Sequence, residues 1–553
     1  MILHLQSFQG LHFSRCIVVM KISKRRPPLI KYLKLFKGKR MLQKRKHVMN
    51  FIYFITAIAV CIFNLSSSAY AATVNNFKKI PEDVTLFKNV KVFNGTENKL
   101  YDVEVLIVKN KIHKIAKTIP TTGTWEIDTK SGGVKQIKGP ETGWGGYSFS
   151  TYEAGKKVIK QVNVNVINGG GRTLMPGLID SHTHLNGYKD GNITTLESTT
   201  WEEIAARSAA FAQEMLANGF TTIRDMGGAH VGLKKVIDEG LLPGPRIYTA
   251  GAWIGQTAGH GDFSLPAMRK GESNTERLEI TRMVDGRDEM FAAARRNFGL
   301  GAHFLKIFVS GGVTSIKDPI YASQFSDDEV LAAVETAQDL GTYVAMHVHQ
   351  DADIGRGLDL GVMSVEHGLT ISKKNMKKLV KKGAYYSPNL ASVSPEAKAH
   401  PMHQDPEFPP TRKFMWLVDN SDKCTDLIRE YKPKLVFNTD YVLLTGEPYR
   451  AALDFTKFIF AREFGNFWAL KSLTSTPGEL AKLTGLHNPY ADGKLGVIEV
   501  GAYADILIVD GNPLEDIKAI GGNQKWFDAE PREQEVQSIK LIMKDGKIYK
   551  NSL

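Results

Sequence analysis

Five short apolar runs in this chain end in residue types that bind metal ions. The runs are predicted strands at residues 178–184, 304–307, 344–347, 364–367 and 435–440. In chain order they supply two histidines, a lysine, two further histidines and an aspartate. These residues are His182, His184, Lys306, His347, His367 and Asp440. Histidine nitrogens and carboxylate oxygens are ligands of zinc and of similar divalent metals. Six candidate ligands from five separate runs therefore predict a metal-dependent hydrolase.

Such a site needs a fold that brings the ends of several strands together. Helical and strand-like patterns alternate over residues 176–485, which is typical of a parallel α/β barrel. Three further predicted strands, at 221–224, 246–250 and 384–388, bring the predicted total to eight. The active site of a TIM (β/α)8 barrel lies at the C-terminal ends of its strands. We therefore predict the α/β class, with a TIM barrel that gathers the six residues into one site.

Four helices of the predicted barrel have clear boundaries in the sequence. They are expected at residues 201–218, 287–299, 326–340 and 373–382. The third has the clearest start, because Ser326 and Glu329 have the spacing of a capping box. This pattern predicts that the helix begins directly after Ser326.

Both ends of the chain alternate apolar and polar residues as β-strands do. Residues 83–118 contain several such segments, and Asn110-Lys111 is expected to be a turn between two of them. Near the C-terminus, Asp545-Gly546 separates two alternating segments, which is a strong hairpin signal. The simplest packing joins the two ends into one small β-sandwich.

The predicted domains follow from these patterns. Residues 1–71 form a leader, 72–175 and 486–553 form the two parts of the β-sandwich, and 176–485 form the barrel. The stretch 119–165 is treated as an insertion whose structure and role the sequence leaves undetermined. The chain beyond residue 71 is longer than one typical domain, which agrees with a barrel and a second domain.

The net charge of +13 comes from the leader. Thirteen Lys and Arg residues and no Asp or Glu lie in residues 1–71, so the rest of the chain is close to neutral. A strong basic excess would suggest nucleic acid or a membrane surface as a partner. Without that excess, no nucleic-acid partner is expected.

The leader has the pattern of an export signal. Basic residues at 41–46 precede an apolar segment at 51–65, and Ala69-Tyr70-Ala71 places small residues before a cleavage site. A membrane-spanning helix needs about 20 apolar residues, and this segment is shorter. We predict cleavage near Ala71, a periplasmic or secreted protein, and no stable membrane insertion afterwards. The alternative is an anchor that is retained.

The cysteine content agrees with a chain that has no internal disulfide. Cys16 and Cys61 lie in the leader, which leaves Cys424 alone in the predicted mature chain. Stability must then come from a large core. The sequence leaves homo-oligomerisation open.

Each candidate ligand has a simpler interpretation when it is considered alone. His182 and His184 could be hydrogen-bonded histidines, because alternate residues of a strand share a face. Asp440 could cap a turn, and His367 could be structural. Lys306 is harder to explain, since burying a lysine costs several kcal/mol unless it is neutralised or paired. The joint placement of all six residues at strand ends favours the metal site.

Two segments of the sequence resemble the amidohydrolase superfamily. They are LMPGLIDSHTH at 174–184 and GVIEVGAYADILIVDGNP at 496–513, and the resemblance covers about residues 80–550. Three shorter motifs, GHGD at 259–262, SGGV at 310–313 and SVEHG at 364–368, are similar to the imidazolonepropionase-like branch. That branch includes binuclear Xaa-Pro dipeptidases (prolidases) and carboxypeptidases.

The resemblance implies a site with two divalent metal ions, most often zinc. It assigns His182, His184 and Asp440 to one metal and His347 and His367 to the other, with Lys306 as a bridging carbamate formed with carbon dioxide. A metal-bridging hydroxide would attack the scissile carbonyl. Asp440 would act as general base and then as general acid.

The substrate is the least determined part of the prediction. The preferred hypothesis is cleavage of a C–N amide bond of a small dipeptide, such as Xaa-Pro, or of an N-acyl amino acid. His260 and His349 are candidate substrate-binding residues, and His260 is also a candidate catalytic residue; a loop-stabilising role for His260 stays open. Two alternatives remain: a cyclic-amide hydrolase or deaminase of the same superfamily, and an exported protein that binds metal or ligand without catalysis. Lys306 argues against the first alternative and Asp440 against the second.

Overall fold

A computed structural model describes residues 84–127, 134–138, 147–153, 156–186, 193–229, 231–441 and 445–553. The predicted leader, 1–71, lies outside these residues. The strands are β1 (Val84–Lys88), β2 (Lys91–Val92), β3 (Tyr101–Asp102), β4 (Glu104–Val108), β5 (Lys111–Ala116), β6 (Gly123–Ile127), β7 (Val134–Lys138), β8 (Tyr147–Glu153), β9 (Lys156–Val162), β10 (Val164–Asn168), β11 (Thr173–Pro176), β12 (Leu178–Thr183), β13 (Phe220–Asp225), β14 (Arg246–Thr249), β15 (Trp253–Gly255), β16 (Thr281–Met283), β17 (Leu305–Phe308), β18 (Val344–Val348), β19 (Ser364–His367), β20 (Tyr385–Ser387), β21 (Lys434–Leu435), β22 (Ile506–Val509), β23 (Ile539–Lys544) and β24 (Lys547–Asn551).

The helices lie mainly between the strands of the central part of the chain. They are α1 (Trp201–Ala217), α2 (Val231–Asp238), α3 (Asn274–Arg277), α4 (Arg287–Gly299), α5 (Asp327–Asp339), α6 (Asp351–Leu360), α7 (Lys373–Lys382), α8 (Pro395–Ala399), α9 (Pro409–Asp419), α10 (Cys424–Tyr431), α11 (Glu447–Phe464), α12 (Asn466–Leu473) and α13 (Ser475–Ala481). Short 3-10 helices occur at Ile193–Ser198, Leu390–Val393, Pro401–His403, Lys482–His487 and Ile517–Ile520.

The eight strands predicted around the site all form, in two parallel sheets. One sheet has the order β12-β13-β14, and the other has the order β16-β15-β17-β18-β19-β20-β21. Every pair of neighbours in both sheets is parallel. Strands β12, β13, β14, β17, β18, β19 and β20 are buried along their whole length. Full burial is typical of parallel strands that helices cover, so the chain has an α/β fold.

Backbone hydrogen bonds connect both edges of the three-stranded sheet to the seven-stranded sheet. The amide of His303, just before β17, donates to the Thr249 carbonyl of β14 at 2.8 Å. On the other side, the Ser181 amide of β12 donates to the Phe437 carbonyl at 3.0 Å, and the Asp440 amide donates to the His182 carbonyl at 2.9 Å. These bonds bring the C-terminal ends of β12 and of the segment after β21 together.

The last predicted strand, 435–440, is wrong in its length. The observed strand β21 ends at Leu435. The backbone amides of the next residues form hydrogen bonds with different neighbours. The amide of Val436 still bonds to β20 through the Tyr386 carbonyl, whereas the amide of Phe437 bonds to the Ser472 carbonyl. The chain therefore turns towards β12 before it reaches Asp440, where φ is +48°.

Strands from both ends of the chain share a single sheet. Its order is β24-β23-β22-β11-β2-β3, and β11 pairs with β22 in antiparallel register. A second sheet, β10-β1-β4-β5, contributes Phe87 and Val105 to the same apolar cluster as Ile506 and Leu541. Both predicted hairpins form, but the first turn lies one residue earlier than predicted. Strand β4 pairs with β5 around residues 109–110, because Lys111 already pairs with Val108, and β23 pairs with β24 around Asp545-Gly546. The β-sandwich that would combine these sheets stays a prediction.

The stretch 119–165 contains strands, which the sequence analysis left undetermined. Strands β6 to β9 form a separate sheet with the order β7-β6-β8-β9. In the sequence, Tyr147, Phe149 and Thr151 alternate with serines, which is a strand pattern that the surrounding Gly-rich composition obscured.

The predicted helices agree with the observed ones to within one residue at each end. Helix α4 spans the predicted 287–299, and α7 spans the predicted 373–382. Ser326 and Glu329 form the expected capping box at the start of α5. Among the described residues, no helix combines the length and the apolar character that crossing a membrane requires.

Candidate active site

The structure brings the eight residues selected from the sequence around one cavity of about 180 Å³. They are His182, His184, His260, Lys306, His347, His349, His367 and Asp440. Most of them lie at or just after the C-terminal ends of parallel strands, where side chains from neighbouring strands converge. The sequence order of the runs therefore predicted a real spatial cluster.

Asp440 lies at the centre of the histidines. Its Oδ1 is 3.3 Å from Nε2 of His182 and 3.4 Å from Nε2 of His184, and its Oδ2 is 3.6 Å from Nδ1 of His367. The ligand atoms of His182, His367 and Asp440 all lie within 4.8 Å of one another. Burial alone would raise the pKa of Asp440, but the neighbouring His182 and His367 hold it well below its usual range. This carboxylate is therefore ionised.

The two histidines of β12 each hold one ring nitrogen away from Asp440. The Nδ1 of His182 lies 2.9 Å from a carboxylate oxygen of Glu366, and the Nδ1 of His184 lies 3.1 Å from the Gly227 carbonyl. Both partners only accept hydrogen bonds, so each Nδ1 must carry the proton. Burial lowers the pKa of His182, so its ring is neutral and its Nε2 presents a lone pair towards the Asp440 carboxylate. The Nε2 of His182 has no hydrogen-bond partner although it is buried.

An ionised carboxylate and an unprotonated ring nitrogen that face each other repel, so a positive charge must lie between them, either a shared proton or a metal cation. A site of neutral imidazoles and one carboxylate matches the donors that zinc prefers. The residues present therefore fit a divalent metal ion, on the evidence of the unpartnered His182 Nε2 and its 3.3 Å separation from Asp440.

His347 and His367 form the other side of the cluster. Their ring centres are 4.5 Å apart, and the Nε2 of His347 lies 3.3 Å from the Gly311 carbonyl. The Nδ1 of His367 lies 3.3 Å from the side-chain oxygen of Asn389. Burial holds the pKa of both histidines well below the usual value, so both rings are neutral.

Lys306 is enclosed in the cavity wall with 2% of its surface exposed. Its Nζ lies 5.5 Å from the centre of the Phe308 ring, and no described carboxylate is within ion-pair distance. Burial lowers the pKa of Lys306 to about 8. By lowering this pKa, burial favours the neutral amine, which is the form that can add carbon dioxide and so become an anionic ligand.

Two of the cluster residues have a strained backbone. His367 has φ of +64° and Asp440 has φ of +48°, a region that residues with a side chain rarely adopt. Such conformations cost about 1–3 kcal/mol each and persist where the surrounding structure requires them, often at active sites. The strained backbone at His367 and Asp440 therefore agrees with a functional requirement for the positions of their side chains.

His260 and His349 also border the cavity, and both are neutral. Burial lowers the pKa of His260 to about 4 and that of His349 to about 3. The Nδ1 of His260 is 2.8 Å from the Ser315 hydroxyl, while its ring stacks on His347 at 4.3 Å. Gly312 lies under this ring, where a Cβ atom would come within 2.2 Å of it.

The sequence analysis missed several residues that support or line the site. Glu366 and Arg224 form a buried ion pair next to His182, at 2.7 Å. Asp225 accepts backbone hydrogen bonds from Leu185, Gly227 and Ala229 and so fixes the turn beside His184. Charged residues within short predicted strands were the available signal, as in the Val-Glu-His of β19 and the Ile-Arg-Asp of β13.

The rest of the cavity wall is largely apolar and comes from distant segments. Trp253 begins β15, Phe308 ends β17, and Phe414 and Leu417 belong to α9. Trp526 comes from the segment between β22 and β23 and stacks on Phe455 at 5.1 Å. The long segment 252–286 and the proline-rich segment before α9, which contributes His403, therefore both border the site.

Comparisons with known proteins agree with this site. The amidohydrolase family matches residues 173–549. Ochratoxinase of Aspergillus niger is 29% identical over 391 residues, which cover 68% of this chain and 75% of that protein. Imidazolonepropionase of Alkaliphilus metalliredigens strain QYMF is 22% identical over 377 residues, with 63% and 77% covered.

Solved structures show the same relationship. A crystal structure of a prolidase complexed with N-methylphosphonate-L-proline has a TM-score of 0.67 and 27% identity, and the match covers 85% of this chain and all of that one. The expected resemblance to the amidohydrolases and to their imidazolonepropionase-like and prolidase-like members is confirmed. The chain belongs to the amidohydrolase family and is a hydrolase that acts on carbon–nitrogen bonds.

Proposed function

We propose that this chain is an exported amide hydrolase with two divalent metal ions, which cleaves small dipeptides or N-acyl amino acids that carry an apolar group. The observation that carries the proposal is the position of Asp440, whose two carboxylate oxygens lie 3.3–3.6 Å from nitrogens of His182, His184 and His367. A carboxylate surrounded by imidazole nitrogens is a metal-binding arrangement. It is also a position from which one carboxylate can exchange a proton with a substrate.

The metal ligands would be those that the sequence predicted. His182, His184 and Asp440 would hold one ion, His347 and His367 the other, and Lys306 as a carbamate would join the two. Zinc is the ion that these donors favour most. When bound, such a pair of ions polarises a carbonyl group and makes a water molecule acidic.

The chain's own residues would then move the proton and orient the substrate. Asp440 would take a proton from the attacking water at a carboxylate oxygen and pass it to the departing nitrogen. His260 and His349, which are neutral and border the cavity, would bind the substrate carbonyl or carboxylate. The aromatic wall would exclude water from the bond that breaks, which strengthens electrostatic interactions there.

The apolar wall and the relatives support the substrate class. Trp253, Phe308, Phe414, Leu417 and Trp526 border the cavity, and such surfaces favour apolar side chains or acyl groups. The similar proteins include ochratoxinase and a prolidase that was crystallised with a proline phosphonate. An amide with an apolar substituent next to the scissile bond is therefore the favoured substrate.

A substrate panel tests this proposal. Zinc-loaded protein would be assayed with Xaa-Pro dipeptides, other dipeptides, N-acetyl and N-benzoyl amino acids, and a cyclic imidazolone. Hydrolysis of linear amides, faster for those with large apolar groups, is the expected result. Turnover of the cyclic substrate alone would contradict the proposal and favour the imidazolonepropionase-like alternative.

The wall residue Trp526 gives a prediction on selectivity. Replacing it by leucine removes part of an aromatic surface, so kcat/KM for N-benzoyl amino acids should fall about tenfold, which corresponds to about 1.4 kcal/mol of lost contact. The effect should lie mainly in KM, and N-acetyl substrates should change much less. Steady-state kinetics on the two substrate series measure this difference.

Phe527→Leu is the matched control, because Phe527 is the adjacent aromatic residue but does not border the cavity. Its kinetic constants should stay close to those of the wild type. Equal losses on both substrate series in Trp526→Leu would mean that Trp526 does not select the substrate.

We further propose that the two parallel sheets close into the predicted eight-stranded barrel and that the sheets of the chain ends form a sandwich. The backbone hydrogen bonds at 2.8–3.0 Å between the two parallel sheets support closure. The apolar cluster shared by both chain-end sheets supports the sandwich. A crystal structure in which β14 and β17 do not adjoin would contradict the barrel.

Export remains a proposal that rests on the leader sequence. Cleavage near Ala71 predicts that the mature protein begins at Ala72 or within one or two residues of it. N-terminal sequencing of protein from the periplasm or medium measures this. A mature chain that keeps the apolar segment 51–65 would indicate a membrane anchor instead.

A further inference from the structure

A buried ion pair beside the cavity has no part in the mechanism above. Arg224 on β13 and Glu366 on β19 lie 2.7 Å apart, and both side chains are almost wholly buried. The other carboxylate oxygen of Glu366 lies 2.9 Å from Nδ1 of His182. Arg224 also donates hydrogen bonds to the Ser181 carbonyl at 2.5 Å and to the Ser364 hydroxyl at 3.0 Å.

We infer that Arg224 and Glu366 are positioning residues that fix the tautomer and the ring orientation of His182. A carboxylate only accepts hydrogen bonds, so Glu366 requires the proton of His182 on Nδ1. The Nε2 lone pair is then directed towards Asp440, where it has no hydrogen-bond partner. A ring rotated by half a turn would present the carbon Cε1 towards Asp440, and the other tautomer would present a protonated Nε2. Neither could act as a ligand there.

Arg224 acts through Glu366 and through the backbone of Ser181, the residue before His182. Its guanidinium occupies Oε1 of Glu366, so Oε2 remains for His182. Its bond to the Ser181 carbonyl fixes the backbone immediately before His182. The hydroxyl of Ser364 donates a further bond to Oε1 at 2.5 Å. The Glu366 carboxylate thus has three hydrogen-bond partners: Arg224, Ser364 and His182. Because the first two fix its orientation, it in turn fixes the orientation of the His182 ring.

Stability alone is a weak explanation for such a pair. Removing two charges from water costs several kcal/mol per ion, and buried pairs often add little net stability compared with apolar residues of similar size. Ligand histidines in metal sites commonly donate their second ring N–H to a carboxylate, and loss of that carboxylate typically weakens metal binding by about 10–100-fold. The geometry around His182 matches this arrangement.

The test rests on the proposed function, since it measures binding of Co²⁺ as a spectroscopic substitute for zinc. Glu366→Gln keeps the size of the side chain but can donate to Nδ1 as well as accept from it, so it no longer selects one tautomer. Its Co²⁺ dissociation constant, measured by competition with a chelator, should rise about 10–100-fold. The visible absorption band of bound Co²⁺ should change as well.

The double variant Arg224→Met with Glu366→Gln removes both charges together and guards against misfolding from one unpaired charge. It should show the same loss of Co²⁺ affinity. Arg246 and Asp505 form the matched control, because they are another buried pair, at 2.9 Å, that does not border the cavity. Arg246→Met with Asp505→Asn should lower the melting temperature but leave Co²⁺ affinity and the absorption band unchanged.

The possible outcomes distinguish the positioning role of Arg224 and Glu366 from the proposed metal-dependent function. Wild-type protein that binds Co²⁺ while both site variants keep its affinity within twofold would overturn the positioning role alone. Equal changes in the site variants and in the control pair would also overturn it, since they would indicate a general effect of folding. Wild-type protein that binds no Co²⁺ would contradict the proposed function itself, and the inference with it.

Discussion

Replacing Asp440 by asparagine is expected to lower kcat by about 10²–10⁴-fold, the usual effect of losing a general acid–base residue. This corresponds to roughly 3–5.5 kcal/mol of activation free energy at 1.36 kcal/mol per tenfold. Asparagine keeps the shape and one coordinating oxygen, but it cannot take up the proton of the attacking water. The melting temperature should change little, because the apolar core does not depend on this charge. Steady-state kinetics with metal-loaded protein provide the measurement.

Asp353→Asn is the control, because Asp353 is another buried aspartate that does not border the cavity. Its turnover should remain close to that of the wild type. If Asp440→Asn kept normal turnover and normal metal content, the assigned mechanism would be wrong. The proton carrier would then be sought in His260 and His349, which border the same cavity.

Replacing Lys306 by alanine is expected to lower metal content and activity together. The side chain is buried without a counter-ion among the described residues, and its carbamate would be the one ligand shared by both ions. Without that ligand, metal content should fall below about one ion per chain, and hydrolysis should fall with it. Metal analysis and activity assays on the same sample measure both. Short carboxylic acids such as propionate, which can occupy the vacated space, should partly restore both.

Lys457 offers a matched control for this variant. It is also wholly buried, and burial lowers its pKa to about 8, but it is paired with Asp454 and does not border the cavity. Lys457→Met should reduce stability without changing metal content. A Lys306→Ala protein that kept two ions and full activity would exclude a bridging role for this lysine.

The sequence predicted those parts of the fold that depend on local patterns. The strands around the site were visible because fully buried parallel strands are short apolar runs. Helix α5 was visible because Ser326 and Glu329 form a capping box that is purely local. Lys306 was informative because a charge within Phe-Leu-Lys-Ile-Phe contradicts the apolar character of the strand around it.

The remaining parts depend on contacts between distant residues. Glu366 is adjacent to the predicted ligand His367, but only the fold brings it to His182, 184 positions away, and to Arg224. Trp526 reaches the cavity from the C-terminal part of the chain, which the sequence assigned to a different domain. The early end of β21 follows from hydrogen bonds that the chain makes with Ser472 and with β12. None of these contacts produces a periodic pattern in the sequence from which it could be predicted.

The central claim is that this chain holds two divalent metal ions and needs them to cleave amides. The most direct measurement is the metal content of purified, zinc-supplemented protein, followed by removal of the metal with a chelator and its return. We expect about two ions per chain, loss of amide hydrolysis on removal, and recovery on return. Amide hydrolysis by protein that retains no metal, or one ion per chain at full activity, would contradict the account.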